Sequence, residues 1–216
     1  MDALTAIVDR INKSLEARTS ARDQALVHAR AITRHAANAI RATHRDEKDL
    51  TKEHLLEARN LAKELKSNLS EYTDLYFAGY TQDALKEYSE ASLTYAIIEN
   101  LPIPDPEELG VEYATYLNGL AECVGELRRR CLDILRQGYS KEAERLLNWM
   151  DEIYSILVTM DYPDAVTNGL RRQTDLVRGI VERTRGDLTI SLREQHLEDT
   201  IRTLSIQFNH ITGTKK

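Results

Sequence analysis

The sequence predicts an all-α protein, a seven-helix bundle subunit, and three observations carry that expectation. Apolar residues recur at helical spacing almost from end to end. No stretch alternates polar and apolar residues as a strand would. Only four prolines and nine glycines punctuate 216 residues, which leaves few breaks for hairpins.

The elements follow in order. Residues 3 to 43 read as one long helix. A second runs from Thr51, a candidate cap, to residue 66, with Leu55, Ala58, Leu61, Ala62 and Leu65 as its apolar stripe. A third covers 69 to 78 and ends near Gly79. A fourth covers 81 to 99. "LPIPDPEELG" holds three prolines and is the clearest loop. A fifth helix spans 107 to 137 and stops at Gly138. Ser140 caps a sixth, to 159. Pro163 in "DYPDAVTNG" breaks the chain before a seventh, 164 to 185. Residues 191 to 216 form a further helix or a mobile tail of what is read as one domain over 1 to 216. No internal repeat is visible.

Composition narrows the function classes. Charged residues are 30% and apolar ones 42%, an ordinary globular balance. No apolar run approaches the ~18 residues of a membrane helix. "MDALTAIVDRINK" lacks the basic-then-apolar order of a signal peptide, so a cytoplasmic location is expected. Cys123 and Cys131 lie ~12 Å apart along one predicted helix, too far for a disulfide. The net charge of −6 is uneven: residues 10 to 45 carry eight cations and two anions (+6), leaving −12 for the rest. An acidic chain with one basic arm still attracts a polyanion locally. P-loop, GxGxxG and serine-nucleophile motifs are absent. His28, His35, His44, His54, His196 and His210 show no metal-ligand spacing and read as surface or capping residues.

Two faces carry chemistry. "DALKEYSEASLTYAIIE" places Glu87 and Glu90 on one side of a helix, against Ala84, Ala91 and Ile98. Like charges at that spacing cost roughly 0.2–0.5 kcal/mol in an isolated helix. The fifth helix buries Tyr116, Leu120, Val124, Leu127 and Cys131, and opposes them with Asn118, Gly119, Glu122 and Glu126. Gly119 and Gly125 border that polar face, where each costs ~1 kcal/mol against alanine, so close approach of another backbone is expected. Were the two helices antiparallel neighbours, Glu87, Glu90, Glu122 and Glu126 would form an oxygen-rich cage for Mg²⁺ or Mn²⁺. Such cages suit in-line phosphodiester cleavage. A di-iron bundle needs Glu-x-x-His pairs, and none occurs.

The second face lies on the first helix. Arg30, Arg34, Asn38, Arg41 and Arg45 fall within ~80° of one another over ~22 Å. Arg30, Arg34 and Arg41 have no acidic residue one turn away to pair with them, and guanidinium forks match phosphate oxygens. A further arginine-rich stretch, Arg171 to Arg185, reads equally as a phosphate-contacting surface, a subunit interface or a solvated face.

Several motifs then resemble the translin family, in particular its catalytic branch, translin-associated factor X. "LEAR" (15–18), "RAIT" (30–33) and "HR" (44–45) stand at the family's spacing. "LKEYSEA" (85–91) is similar to its Leu-x-Glu-Tyr-x-Glu-Ala, and "LGVEYATYLNGLAECVGELRRRC" to its Leu-Gly-x-Ala-Asp-x-x-Gly-Glu-Leu segment. The resemblance covers nearly the whole chain and points to a prokaryotic or archaeal member. It implies a seven-helix subunit in a hollow homo-oligomer, an octamer, that encloses RNA, single-stranded or duplex. It implies Mg²⁺-dependent endoribonuclease activity, with Glu87, Glu90, Glu122 and Glu126 catalytic and metal-binding. It places Arg18, Arg30, Arg34, Arg41, His44 and Arg45 on the RNA. Glu122 stands where the family has Asp, and its extra methylene reaches over ~1 Å further. A non-catalytic translin-like RNA- or DNA-binding protein is the alternative.

Overall fold

The computed structural model describes residues 2–213, with side chains for 3–208, so the His210 side chain and residues 214–216 lie outside it. Nine helices occur among the described residues: α1 (Asp2–His44), α2 (Lys48–Asn68), α3 (Thr73–Tyr76), α4 (Gly79–Ile98), α5 (Pro106–Leu109), α6 (Tyr113–Leu135), α7 (Lys141–Val158), α8 (Asp164–Thr167) and α9 (Leu170–Gly213). Six are long, and α3, α5 and α8 are single turns. The seven expected helices resolve into these through local breaks.

Each break has a backbone cause. The expected fifth helix splits because Gly110 adopts the left-handed region at φ 70°, which a glycine reaches without steric cost. Upstream, Asp105 and Glu108 close a reciprocal capping box that starts α5. Left-handed Asn168 and Gly169 separate α8 from α9. Thr51 does not cap α2. It is fully buried inside the first turn, where its hydroxyl donates to the Glu47 carbonyl, and Glu47 takes the cap position. Ser140 does cap α7, its hydroxyl accepting from the Glu142 amide. The C-terminal stretch is no separate piece: α9 is continuous through residue 213.

Packing is centred on α4. Helix α1 packs against α2 and α4, α4 against α6, and α6 against α7 and α9. One apolar cluster joins α1, α2 and the first half of α4 around Ile32, Leu65 and Leu85. Another joins the second half of α4 to α6, α7 and α9 around Ile97, Leu127, Met150 and Val177. Full burial of a Leu or Ile of this kind contributes about 1.5–3 kcal/mol. Helix α4 is therefore buried on nearly all sides, and its polar residues emerge on a narrow strip. Helices α1 and α9, ~65 Å each, extend past this body. Leu4, Val8, Ile11 and Leu15 on α1, and Leu197, Ile201 and Leu204 on α9, are exposed at heptad-like spacing. No helix among the described residues is long and apolar enough to cross a membrane.

Candidate metal centre and its arginine border

The site begins with a glycine. At Gly119 a Cβ atom would stand 2.8 Å from Ser89 Cβ and 2.9 Å from the Lys86 carbonyl oxygen. Only glycine lets the α6 backbone come this close to α4. Ser89 helps from the other side, being small and donating back to the Leu85 carbonyl. Gly125, by contrast, faces open space, so the expectation of close approach holds at one of the two glycines.

That approach brings three carboxylates together. Glu87, Glu90 and Glu122 each offer an oxygen, all within 4.8 Å of one another, in a half-buried setting. Burial, then the charge of Glu122, raises Glu87 above the usual carboxylate range. Glu90 is pushed up to about 8, first by burial and then by Glu87, Glu122 and Glu126. Like charges that raise the proton affinity of Glu87 and Glu90 in this way also favour a cation beside them.

Two protein groups answer the charge in part, and sequence reasoning missed both. Lys86 Nζ donates to Glu122 Oε1 at 2.8 Å. Burial works against its charge, but the hydrogen bond and charge of Glu122, with Asp83 and Glu87, keep its pKa raised. Gln173 Nε2, from α9, donates to the same oxygen at 3.1 Å.

Glu126 is not in the three-carboxylate group. One turn along α6 from Glu122, it is drawn aside by His44, whose Nε2 lies 2.5 Å from its Oε2, and by Arg129 at 3.5 Å. The His44 hydrogen bond, opposed by burial, holds Glu126 below the ordinary carboxylate range. His44 is thus not on the exposed basic face. Its side chain is 4% exposed, and it braces a carboxylate of the site instead. Arg130 secures the same corner, bonding Asp46 at 2.7 Å beyond the end of α1.

The arginine stripe borders this cluster. Arg30 and Glu87 line one groove of about 380 Å³ between α1 and α4, together with Thr33, Tyr80 and Asp83. Arg30, Arg34 and Arg45 are exposed and form no ion pair among the described residues. Arg41 is exposed and donates to Asn38 of the same face. Arg18 stands apart from them, ion-paired with Asp74 of α3. In the later basic stretch, Arg178 pairs with Glu182 and Arg185 with Asp151, while Arg171 and Arg172 are exposed.

The donor set fits a hard divalent cation. In octahedral coordination at ~2.1 Å, ligand oxygens stand ~3 Å apart when adjacent and ~4.2 Å when opposite. Oxygens within 4.8 Å reach the adjacent spacing by contracting up to ~1.8 Å, a movement that rotation about the glutamate side-chain bonds supplies.

Comparisons place the chain. No family model matches it. It is 34% identical over 208 residues to the uncharacterized protein MJ0175 of Methanocaldococcus jannaschii, covering 94% of this chain and 92% of that one. It is similar to AfC3PO in a structure of AfC3PO with duplex RNA: TM-score 0.80, 33% identity, 87% of this chain and 97% of that one. The crystal structure of AfC3PO gives the same TM-score at 32% identity. The fold is shared with apo-NeC3PO at TM-score 0.77, 24% identity, 85% of this chain and 96% of that one. Both named proteins are translin-associated factor X-like. Identity of this extent, together with the shared all-helical architecture, shows that this chain belongs to the translin family.

Proposed function

We propose that this protein is a Mg²⁺-dependent endoribonuclease, with Mn²⁺ an acceptable substitute, that works as a closed homo-oligomer of the octameric translin type. The observation that carries the reading is the shared groove of Arg30 and Glu87, which sets a phosphate-binding face beside a carboxylate cluster. The duplex RNA bound by AfC3PO supports RNA as the ligand class.

Glu87, Glu90 and Glu122 would hold the metal. When bound, the metal supplies Lewis-acid stabilisation of phosphoryl oxygens and lowers the pKa of a water. Arg30, Arg34 and Arg41 bind the backbone phosphates and fix the strand along α1. Lys86 Nζ and the Gln173 amide orient Glu122 Oε1. His44 Nε2 holds Glu126, so that its carboxylate flanks the cluster at a fixed position. Ala91, buried on α4 against Ala36, Ala39 and Ile40 of α1, backs the helix that carries these carboxylates. The exposed apolar faces of the α1 and α9 extensions favour self-association. Light scattering that gives a monomer mass at micromolar concentration would remove the closed assembly.

One contact favours the alternative, binding without cleavage: Lys86 already neutralises part of the charge that a metal would otherwise neutralise. Labelled RNA incubated with Mg²⁺ or with chelator separates the two. Wild type is expected to cut only with Mg²⁺. Glu87→Gln, which keeps the shape and removes the charge, is expected to bind RNA as before and not cut. Intact RNA after incubation of wild type with Mg²⁺ would leave the binding module as the function.

A further inference from the structure

His35 on α1 and His54 on α2 meet across the first helix pair, away from the carboxylate cluster. Their Nδ1 atoms stand 3.2 Å apart, and the rings meet edge-on with centroids 5.2 Å apart. Both residues are partly exposed, so dissolved ions reach them. Two neutral imidazoles satisfy this geometry in one of two ways. One Nδ1–H donates to the other Nδ1, or both lone pairs address a third atom between them. For the second case the spacing is that of a chelate. With metal–nitrogen bonds of ~2.0–2.1 Å, nitrogens at this separation subtend ~100–105°, near the tetrahedral angle.

A third ligand is within reach of a side-chain rotation. Helices α1 and α2 are antiparallel, and His28 lies against Glu64 at 3.6 Å. The same register, one heptad further along each helix, sets Glu57 near His35; its oxygens do not lie within 4.8 Å of both imidazole nitrogens, and the exposed side chain would close on an ion by rotation. Burial, then His54 and Arg34, hold the His35 imidazole below its ordinary 6.5, while Glu57 and Glu53 act on it in the opposite sense. Both carboxylates are close enough to His35 to act on it electrostatically.

We propose that His35, His54 and Glu57 form a site for a zinc-class cation that pins α1 to α2. The chemistry separates it from the carboxylate cluster. Imidazole nitrogens select Zn²⁺, Co²⁺ or Ni²⁺, whereas a cage of carboxylates suits Mg²⁺. The pinned segment of α1 includes Arg34, so the cation would also fix the helix that presents the arginine stripe.

The test uses full-length protein stripped with chelator and returned to excess Mg²⁺, which occupies the carboxylate cluster. Zn²⁺ is then titrated by calorimetry, with thermal unfolding and zinc X-ray absorption as second readouts. One Zn²⁺ per chain is expected, with nitrogen ligation and a raised Tm. His35→Gln and His54→Ala are each expected to weaken that binding by ~100-fold or more, and Glu57→Gln by ~10-fold. Glu87→Gln is expected to leave it unchanged, which separates this site from the cluster. Circular dichroism of each variant establishes that the helices are intact. Equal Zn²⁺ uptake by wild type and folded His54→Ala, or no uptake by wild type, would overturn the proposal and leave an ordinary histidine–histidine hydrogen bond. Equal uptake by Glu57→Gln would remove the carboxylate from the ligand set.

Discussion

Glu90→Gln tests the carboxylate cluster without reference to catalysis. The Glu90 carboxyl, ordinarily near 4.5, is pushed up to about 8, first by burial and then by Glu87, Glu122 and Glu126. A carboxyl raised in this way binds its proton more tightly in the folded chain than in the unfolded one. Its contribution to metal-free stability is therefore fully present below about pH 4.5, is lost progressively as pH rises, and is gone above about pH 8. At ~1.4 kcal/mol per pH unit the full interval corresponds to about 5 kcal/mol. Solvent screening at a half-open site, and the sharing of repulsion among neighbours, reduce the expected drop to about 2–3 kcal/mol. For a chain of this length that is roughly 5–10 °C in Tm. The glutamine variant cannot titrate there. Wild type and Glu90→Gln, both in chelator, are expected to unfold at similar temperatures near pH 5. By pH 8.5 the variant should be the more stable by about that margin. Added Mg²⁺ should flatten the wild-type profile, because it binds the ionised folded form. A stability difference between wild type and variant that stays constant from pH 5 to 9 would refute the electrostatic account of the cluster.

The other predictions concern the glycine contact and the arginine face. Gly119→Ala gains ~1 kcal/mol of helix propensity but forces atoms 2.8–2.9 Å apart to separate, at a cost of about 1–3 kcal/mol. A net loss of about 1 kcal/mol is expected in thermal unfolding, with ~10²-fold slower RNA cleavage as carboxylates on two helices move apart. Gly125→Ala, which meets open space, should be stabilised, and a Gly119→Ala protein at least as stable as wild type would refute the argument. Replacing Arg30, Arg34 and Arg41 with Ala should weaken RNA binding regardless of sequence. It should also flatten the salt dependence by ~0.7–0.9 in log–log slope per lost phosphate contact, and an unchanged slope in filter binding would place RNA elsewhere.

Local signals in the sequence were sufficient for the helices, because helical periodicity is short-range. The same holds for Ser140, where hydroxyl and amide are two residues apart. The break at Gly110 was also legible in principle, since Asp105-Pro-Glu-Glu spells a capping box, but the apolar periodicity through Leu117 concealed it. Gly119 was correctly linked to close approach and Gly125 was not, since the two differ only in what the fold places opposite them. Glu87 and Glu90 could be paired from spacing, whereas the meeting of His44 with Glu126, 82 residues away, depends on helix packing that no local pattern encodes. The histidines were read singly for the same reason. His35 and His54 acquire a common geometry only when α1 folds back along α2.

Helix α1 contains neither glycine nor proline between Asp2 and His44, so nothing in it acts as a hinge. Its two working ends are mechanically one body. Ala25, the first residue buried in the subunit core, lies ~32 Å from exposed Leu4 and ~29 Å from His44. From Ala25 to Ala42 the helix is clamped in the core, so the projecting end is a cantilever whose load bears on that clamped length. The same clamped length that carries the projecting end therefore also holds His44, the imidazole that braces Glu126.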